Sequence, residues 1–515
     1  MMIKEKIIRN TIYNIISYGY SAVVGFLLVP FVLKNLGINR YGIWSLITMI
    51  TGYFSLIDLG IGQSFERYIA EYKAKNEKDK INYVVNSGLY FYFSLLLILS
   101  FLSLIVPKFL IKILKIPQDF NDEALFIFKW AIIYMGFSNI FTLFYNCLRG
   151  FQRMDITSKI TIILTTLHAL GVVLFIKNNW GIKGLMVNNF LVYSIGGLIS
   201  LLSIYKIFPE IKLDFLLFEK NIFKKLSKFG IKRWLTAIEE VITYQTDKFF
   251  ISHFLNVGLV SIYQIGYTIP EKLANMIRTL NSAIVPASAE LKAMNDKERL
   301  IKLHTYGLKI ISTIAFPLMF FIIATAPIII NLWVGPGYEK SVIVLRLFSL
   351  IFLITFLSSN LTAILVGIEK PEFQMYAGIG QATLNLILTY FLIKKIGFNG
   401  VIIATLISIS LSTFYLFAIY HNIFEIKMIT TFKNSISIPF YGALLFSLIL
   451  FFFNKTIVNF TKSLNILILF VEAVASFIIY FSFILISNWL KNLQIIYRGG
   501  LNYDKFFKSD NKNFK

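Results

Sequence analysis

Charged and hydrogen-bonding residues recur at helical spacing within stretches of sequence that are otherwise apolar. Thr236, Glu240, Thr243 and Asp247 fall at i, i+4, i+7 and i+11, which is one face of a helix, with Glu239 and Thr246 on its flanks. Tyr267, Glu271, Asn275, Arg278 and Ser282 repeat at steps of three or four. Pro270, just before Glu271, should kink that second helix and free a carbonyl. Asn10, Asn14, Ser17 and Ser21 form a third stripe, and Thr48, Ser55 and Asp58, followed by Gly60 and Gly62, a fourth. A charge at the centre of a membrane span costs at least about 2.5 kcal/mol, so each should face protein or water. Four such stripes describe a water-filled cleft. Asp58, Asp247, Glu271 and Arg278 are expected to face that cleft. Two plainer accounts compete. The Ser, Thr and Asn residues could make interhelical hydrogen bonds worth about 0.6 kcal/mol each. Glu271 and Arg278 could pair, although seven residues separate them by roughly 10 Å along the axis. Arg346 and Lys129, near outer span ends, read as snorkelling side chains. His168, His253, His304 and His421 show no metal-ligand spacing, so no metal site is expected.

The elements that must position these residues are membrane helices. Of 515 residues, 57% are apolar and 15% charged, with a mean hydropathy of +0.71. A soluble domain carries about 25% charged residues. About 20 residues make one span, and fourteen spans are predicted: 8–33, 42–66, 82–106, 123–147, 156–177, 184–206, 230–254, 259–288, 303–327, 341–366, 372–393, 400–420, 434–453 and 464–488. The connections are too short for a sizeable soluble catalytic domain. No cleavable signal peptide is expected, because 8–32 is too long for its apolar core and carries Asn10, Asn14, Ser17 and Ser21. With these spans, 33 Lys and Arg share the side of the N-terminus and 12 lie opposite. That bias predicts cytoplasmic termini. The net charge of +23 therefore sets orientation and calls for no nucleic acid partner. Cys147 is the single cysteine and cannot form an internal disulfide.

An internal repeat organises the chain. Gly181-Ile182-Lys183-Gly184 opens the sixth span and Gly397-Phe398-Asn399-Gly400 the twelfth. Gly150-Phe151-Gln152-Arg153 ends the fourth, and Gly367-Ile368-Glu369-Lys370 the tenth. Asn35-Leu36-Gly37 and Asn256-Val257-Gly258 make a third pair in the same order. An even number of spans per half implies two parallel six-helix bundles related by a pseudo-twofold along the membrane normal. The expected division is a first bundle at 1–206, a basic cytoplasmic linker at 207–229 and a second bundle at 230–420. Two appended helices at 421–490 and a basic cytoplasmic tail at 491–515 complete it. In the linker, apolar residues alternate with lysines as in a helix lying on the bilayer surface.

These features together resemble a known family. The Asn10–Asn14 opening, Leu33-Lys34-Asn35-Leu36-Gly37-Ile38-Asn39-Arg40-Tyr41-Gly42 and Asp58-Leu59-Gly60-Ile61-Gly62 are similar to polysaccharide flippases of the Wzx type. So are Tyr244-Gln245-Thr246-Asp247-Lys248 and the Gly150–Arg153 turn. The Wzx type falls in the multidrug and oligosaccharidyl-lipid exporter (MOP, MATE-like) superfamily. The likeness covers nearly the whole chain and rests on the order of loose motifs. It implies a transporter, not an enzyme, in a bacterial or archaeal inner membrane. Such a protein moves undecaprenyl-pyrophosphate-linked oligosaccharide to the outer leaflet by alternating access, for O-antigen, capsule or exopolysaccharide assembly. Polysaccharide polymerase and chain-length proteins are the partners implied. No cofactor is implied beyond a proton or sodium gradient.

On that resemblance Arg278 is the first candidate for the pyrophosphate, with Arg9 and Lys248 behind it, and Asn10, Asn14, Tyr267 and Asn275 would line the sugar path. Asp247, Glu271, Asp58 and Glu240 are the candidates for ion coupling. A MATE-like exporter of drugs or metabolites is the nearest alternative, but it commonly stops at twelve helices with an acidic lumen. A membrane polymerase or glycosyltransferase would need a large outer loop or an acidic metal motif, and no Asp-x-Asp occurs here. Asn454 and Asn459 head N-glycosylation sequons, read as coincidence in a prokaryote.

Overall fold

In lipid every backbone N–H and C=O must be satisfied within its own segment, so an apolar chain of this kind can only build helices or a closed barrel. A computed structural model describes residues 3–58, 60–278, 284–456 and 462–498, and the described residues are almost wholly helical, with no strand among them. The N-terminal half holds α1 (Ile3–Ser55), α2 (Gly62–Ala74), α3 (Lys78–Ile113), α4 (Asn121–Gly150), α5 (Met154–Lys177) and α6 (Gly181–Ile207). The C-terminal half follows with α7 (Lys220–Phe254), α8 (Val257–Arg278), α9 (Ile284–Ala293), α10 (Lys297–Val334), α11 (Glu339–Gly367), α12 (Glu372–Ile396) and α13 (Phe398–Phe424). Last come α14 (Met428–Thr431), a π turn, α15 (Ser437–Thr456) and α16 (Lys462–Arg498). Among the described residues, eleven stretches are long and apolar enough to cross a membrane. α7 and α8 fall outside that set, being the helices with the polar stripes.

Several boundaries differ from the sequence reading, each for a local reason. The first two predicted spans are limbs of one helix, broken only at Gly37, whose φ of 77° and ψ of 169° suit a residue without Cβ. The second limb stops at Ser55 instead of 66. There a 3₁₀ turn (Leu56–Asp58) leads to α2, and the Asp58 carboxylate accepts the N–H of Gly62 at 3.2 Å. The span predicted at 259–288 is divided: α8 ends at Arg278 and α9 starts at Ile284, with 279–283 outside the described residues.

The linker also departs from expectation. Instead of a separate surface helix, residues from Lys220 onward continue directly into α7, and the stretch before it is tied to α3. Asn82 Oδ1 accepts from Lys212 N (2.9 Å), and Asn86 Oδ1 accepts from Asp214 N (2.8 Å). Asn86 Nδ2 donates to Lys212 O (2.6 Å), and Ser87 Oγ accepts from Glu219 N (3.1 Å). Side chains thus satisfy a backbone that has no ladder of its own. Asn86→Ala strips two of these bonds at a buried site, a loss of about 1–3 kcal/mol for a buried partner left unpaired. Limited trypsin cleavage at Lys212 and Lys220 should then run at least about tenfold faster than in wild type. Unchanged cleavage would show that the linker is held elsewhere.

Two of the three repeat correspondences share backbone geometry. Gln152 and Glu369 take φ of 58° and 60°, and both turns close alike: Gln152 N to Arg149 O and Arg153 N to Leu148 O, against Glu369 N to Val366 O and Lys370 N to Leu365 O. Gly181 and Gly397 both have positive φ, 56° and 63°. The third pair does not match. Gly37 breaks a helix, whereas Gly258 lies inside α8, which Asn256 caps through Leu259 N.

Candidate functional site

α1 touches both halves: its first limb packs on α5 of its own half and on α8 of the other, and its second limb meets α7 and the start of α8. At the centre of the contact with α7 lies Lys248, 2% exposed. Its Nζ donates to Thr48 Oγ1 (2.6 Å) and Gln245 Oε1 (3.2 Å), and both acceptors are uncharged. Towards the N-terminal end of α7, the Tyr53 and Thr246 hydroxyls share a bond of 2.5 Å, and further on Trp234 Nε1 donates to Leu56 O (2.5 Å). The start of α8 meets the same limb of α1: Ser261 donates to the Ile38 carbonyl, and Gly42 lies so close to the carbonyl of Val257 that a Cβ would collide with it. The α1–α8 contact is polar too. Tyr18 donates to Lys272 O (3.2 Å), and Trp333 of α10 donates to Phe26 O (2.8 Å) with the two rings stacked at 4.7 Å.

Asp247, the neighbour of Lys248, points the other way, into the C-terminal half. It is fully buried between α7, α8 and α13, and its Oδ2 accepts from Tyr263 (2.8 Å) and Thr405 (3.0 Å). Asn385 of α12 donates to Thr405 (3.0 Å). Among the described residues, Asp247 Oδ1, Asn385 Oδ1 and Thr389 Oγ1 are buried without a hydrogen-bond partner. Such unsatisfied acceptors are rare in native interiors, and each asks for an explanation. The helical stripe was therefore legible in sequence, but successive residues on it serve two different surroundings: Lys248 the contact between halves, Asp247 the inside of one half.

The other predicted residues scatter. Asp58 sits in the N-terminal half, joined to Gly62 and to the Tyr92 hydroxyl. Tyr267 is buried in an aromatic cluster with Phe348 (4.9 Å), Tyr263 (5.9 Å) and Phe352 (6.1 Å). Glu271, Asn275 and Asn10 are half-buried, and Asn14 is exposed, its Oδ1 accepting weakly from Ser158 at 3.5 Å. The side chains of Arg9, Glu240 and Arg278 lie outside the described residues. Glu239, noted only as flanking the stripe, accepts from Gln381 Nε2 (3.0 Å), which also reaches Thr243 (3.2 Å).

Sequence reasoning missed a cavity of about 590 Å³, open on one side and lined by α1, α4, α5 and α6. Its walls hold Thr161, Thr165 and His168 at i, i+4 and i+7, a stripe with the same spacing as those singled out above. It escaped notice because none of its side chains carries a formal charge.

The chain has counterparts among known proteins. The family model described as "Polysaccharide biosynthesis protein" matches residues 7–292, and the MatE model matches 235–391. A Shigella flexneri protein named "Putative O-antigen transporter" is 22% identical over 80% of this chain and 97% of its own length. Haloferax volcanii "Probable flippase AglR" is 22% identical over 76% of this chain and 78% of its own. Among solved structures, lipid II flippase MurJ in an inward closed conformation superposes with a TM-score of 0.67 at 17% identity, covering 94% of this chain and 99% of MurJ. An inward-facing multidrug resistance MATE family transporter of the MOP superfamily gives 0.63 at 16% identity over 83% and 96% of the two chains.

Proposed function

The chain belongs to the polysaccharide biosynthesis protein family, a family of multi-pass membrane proteins with the MATE and MurJ fold, and we propose on that premise that it flips a polyprenyl-pyrophosphate-linked oligosaccharide. Transfer runs from the inner to the outer leaflet by alternating access, and the glycan feeds surface polysaccharide assembly. In this reading α7, α8 and the two limbs of α1 are separate crossings, which gives fourteen, and both termini are cytoplasmic.

One observation carries the reading: a lysine ammonium buried between the halves and, among the described residues, hydrogen-bonded to two neutral acceptors. A buried charge without a bonded counter-charge is costly, and a membrane protein keeps one where it works. The carboxylates of Glu271 and Asp247 are near enough to act on Lys248 through space but make no hydrogen bond to it among the described residues, and when the halves part a pyrophosphate is proposed to take up its N–H donors. Ion drive is assigned to Asp247. Its open Oδ1 offers an oxygen to a proton or a sodium ion, and Thr405 links the same carboxylate to Asn385. The relatives named for O-antigen transport and flippase activity support the same substrate class.

The test is reconstitution in liposomes with fluorescent polyprenyl-pyrophosphate-linked oligosaccharide in the inner leaflet. Transbilayer movement should appear with the protein and be absent without it, under a proton or a sodium gradient. Export of cationic dyes with no movement of the lipid-linked glycan would assign the chain to drug export.

A further inference from the structure

We infer that the cavity inside the N-terminal half is a binding site for the uncharged glycosyl part of the transported lipid, separate from the cation at the contact between the halves. The inference rests on the flippase reading and adds where the sugar goes. At about 590 Å³ the cavity lies within the roughly 300–1,000 Å³ typical of sites that enclose a small ligand. Its lining includes hydroxyls, an amide, an imidazole and tyrosine rings, and no Asp, Glu, Lys or Arg.

That chemistry suits a neutral polyol. Hydroxyls and amides both donate and accept, as sugar hydroxyls do, and an aromatic ring offers an apolar face to the C–H side of a pyranose. The polar groups are held in place by one another. Tyr145 and Thr161 share a bond of 3.1 Å, and His168 Nε2 meets Asn189 Oδ1 at 3.2 Å. Tyr193 stands edge-on to Tyr134, with ring centroids 5.2 Å apart. A pyrophosphate would find no counter-charge among the described residues that line this cavity.

Gly25 provides the means of testing it. It lines the cavity, and a Cβ built on it meets no atom within 4 Å, so a side chain there projects into open space without backbone strain. Gly25→Leu should fold and narrow the cavity. Binding is read in nanodiscs by native mass spectrometry with two probes. One is the undecaprenyl-pyrophosphate-linked glycan fraction extracted from the membranes of the source organism, the other undecaprenyl pyrophosphate without sugar. Gly25→Leu should weaken the glycan-bearing lipid at least tenfold and the bare lipid less than twofold. A second measurement covers a misfolded variant: Thr142→Cys with Cys147→Ser should lose thiol labelling on adding the glycan-bearing lipid but not the bare one.

Equal weakening of both probes, or equal protection by both, would overturn the inference by making the cavity a lipid or phosphate site. Glycan-bearing lipid that binds both proteins alike, with no protection of the thiol introduced by Thr142→Cys, would also overturn it while leaving the flippase reading intact. If wild type binds neither probe, the flippase reading fails and the inference with it.

Discussion

Lys248→Met is expected to leave the protein folded and to cut movement of lipid-linked glycan at least about tenfold, because a charge-assisted hydrogen bond contributes about 1.5–3 kcal/mol and each 1.4 kcal/mol is a factor of ten in affinity. Methionine keeps the length of the lysine stem and removes a charge held among uncharged acceptors. Replacing a buried charge by an apolar side chain of similar volume is often neutral or stabilising, so Tm in detergent should hold or rise. Thr48 is not orphaned by the change, since its hydroxyl already donates to Ser45 O at 2.7 Å. Binding of bare undecaprenyl pyrophosphate should weaken about 10- to 100-fold. Lys248→Arg keeps the charge in a slot shaped for a narrower head group and should fall between the two. A Met variant that transports at the wild-type rate would remove Lys248 as the phosphate ligand. A fall in Tm with transport per folded molecule unchanged would make it a packing residue.

How much of this could be read from the chain depends on what kind of signal each feature leaves. Long apolar runs and the distribution of Lys and Arg announce membrane helices directly, because the bilayer imposes length and composition on every span. The turns at Gln152 and Glu369 were legible as repeated glycine motifs, since their closing hydrogen bonds are local. Helix ends set by partners distant in sequence were not. α7 begins at Lys220 after a stretch held by Asn82, Asn86 and Ser87, residues more than a hundred positions away. The polar stripe of α7 was found by its period, but periodicity gives a face and not what the face meets. Asp247 and Lys248 adjoin in sequence, about 100° apart around a helix, which is enough to send one into a half and the other between halves. The N-terminal cavity left the weakest trace. Its residues are individually ordinary, and attention to charge passes over a site built for neutral groups.

Asp247→Asn is expected to separate binding from drive. The substitution preserves shape and retains an oxygen to accept from Tyr263 and Thr405. Folding should therefore be unharmed, and Tm unchanged or higher. What disappears is the one group there that alternates between charged and neutral forms, and with it the coupling of ion entry to the conformational cycle. An elementary charge crossing the membrane draws about 2.3 kcal/mol per 100 mV, equivalent to roughly a 50-fold accumulation ratio. In liposomes the wild type should build up lipid-linked glycan in one leaflet when a proton or sodium gradient is imposed. Asp247→Asn should only equilibrate the leaflets, at a rate indifferent to the gradient. Running the two gradients separately identifies the ion, because only the coupled one alters the wild-type ratio. If the variant still accumulates substrate against its gradient, the coupling carboxylate lies elsewhere, and Glu239, bonded to Gln381 on the flank of the same stripe of α7, is the next to replace. If wild type and variant both merely equilibrate, the protein is a passive flippase, and the open oxygens around Asp247 have a structural origin.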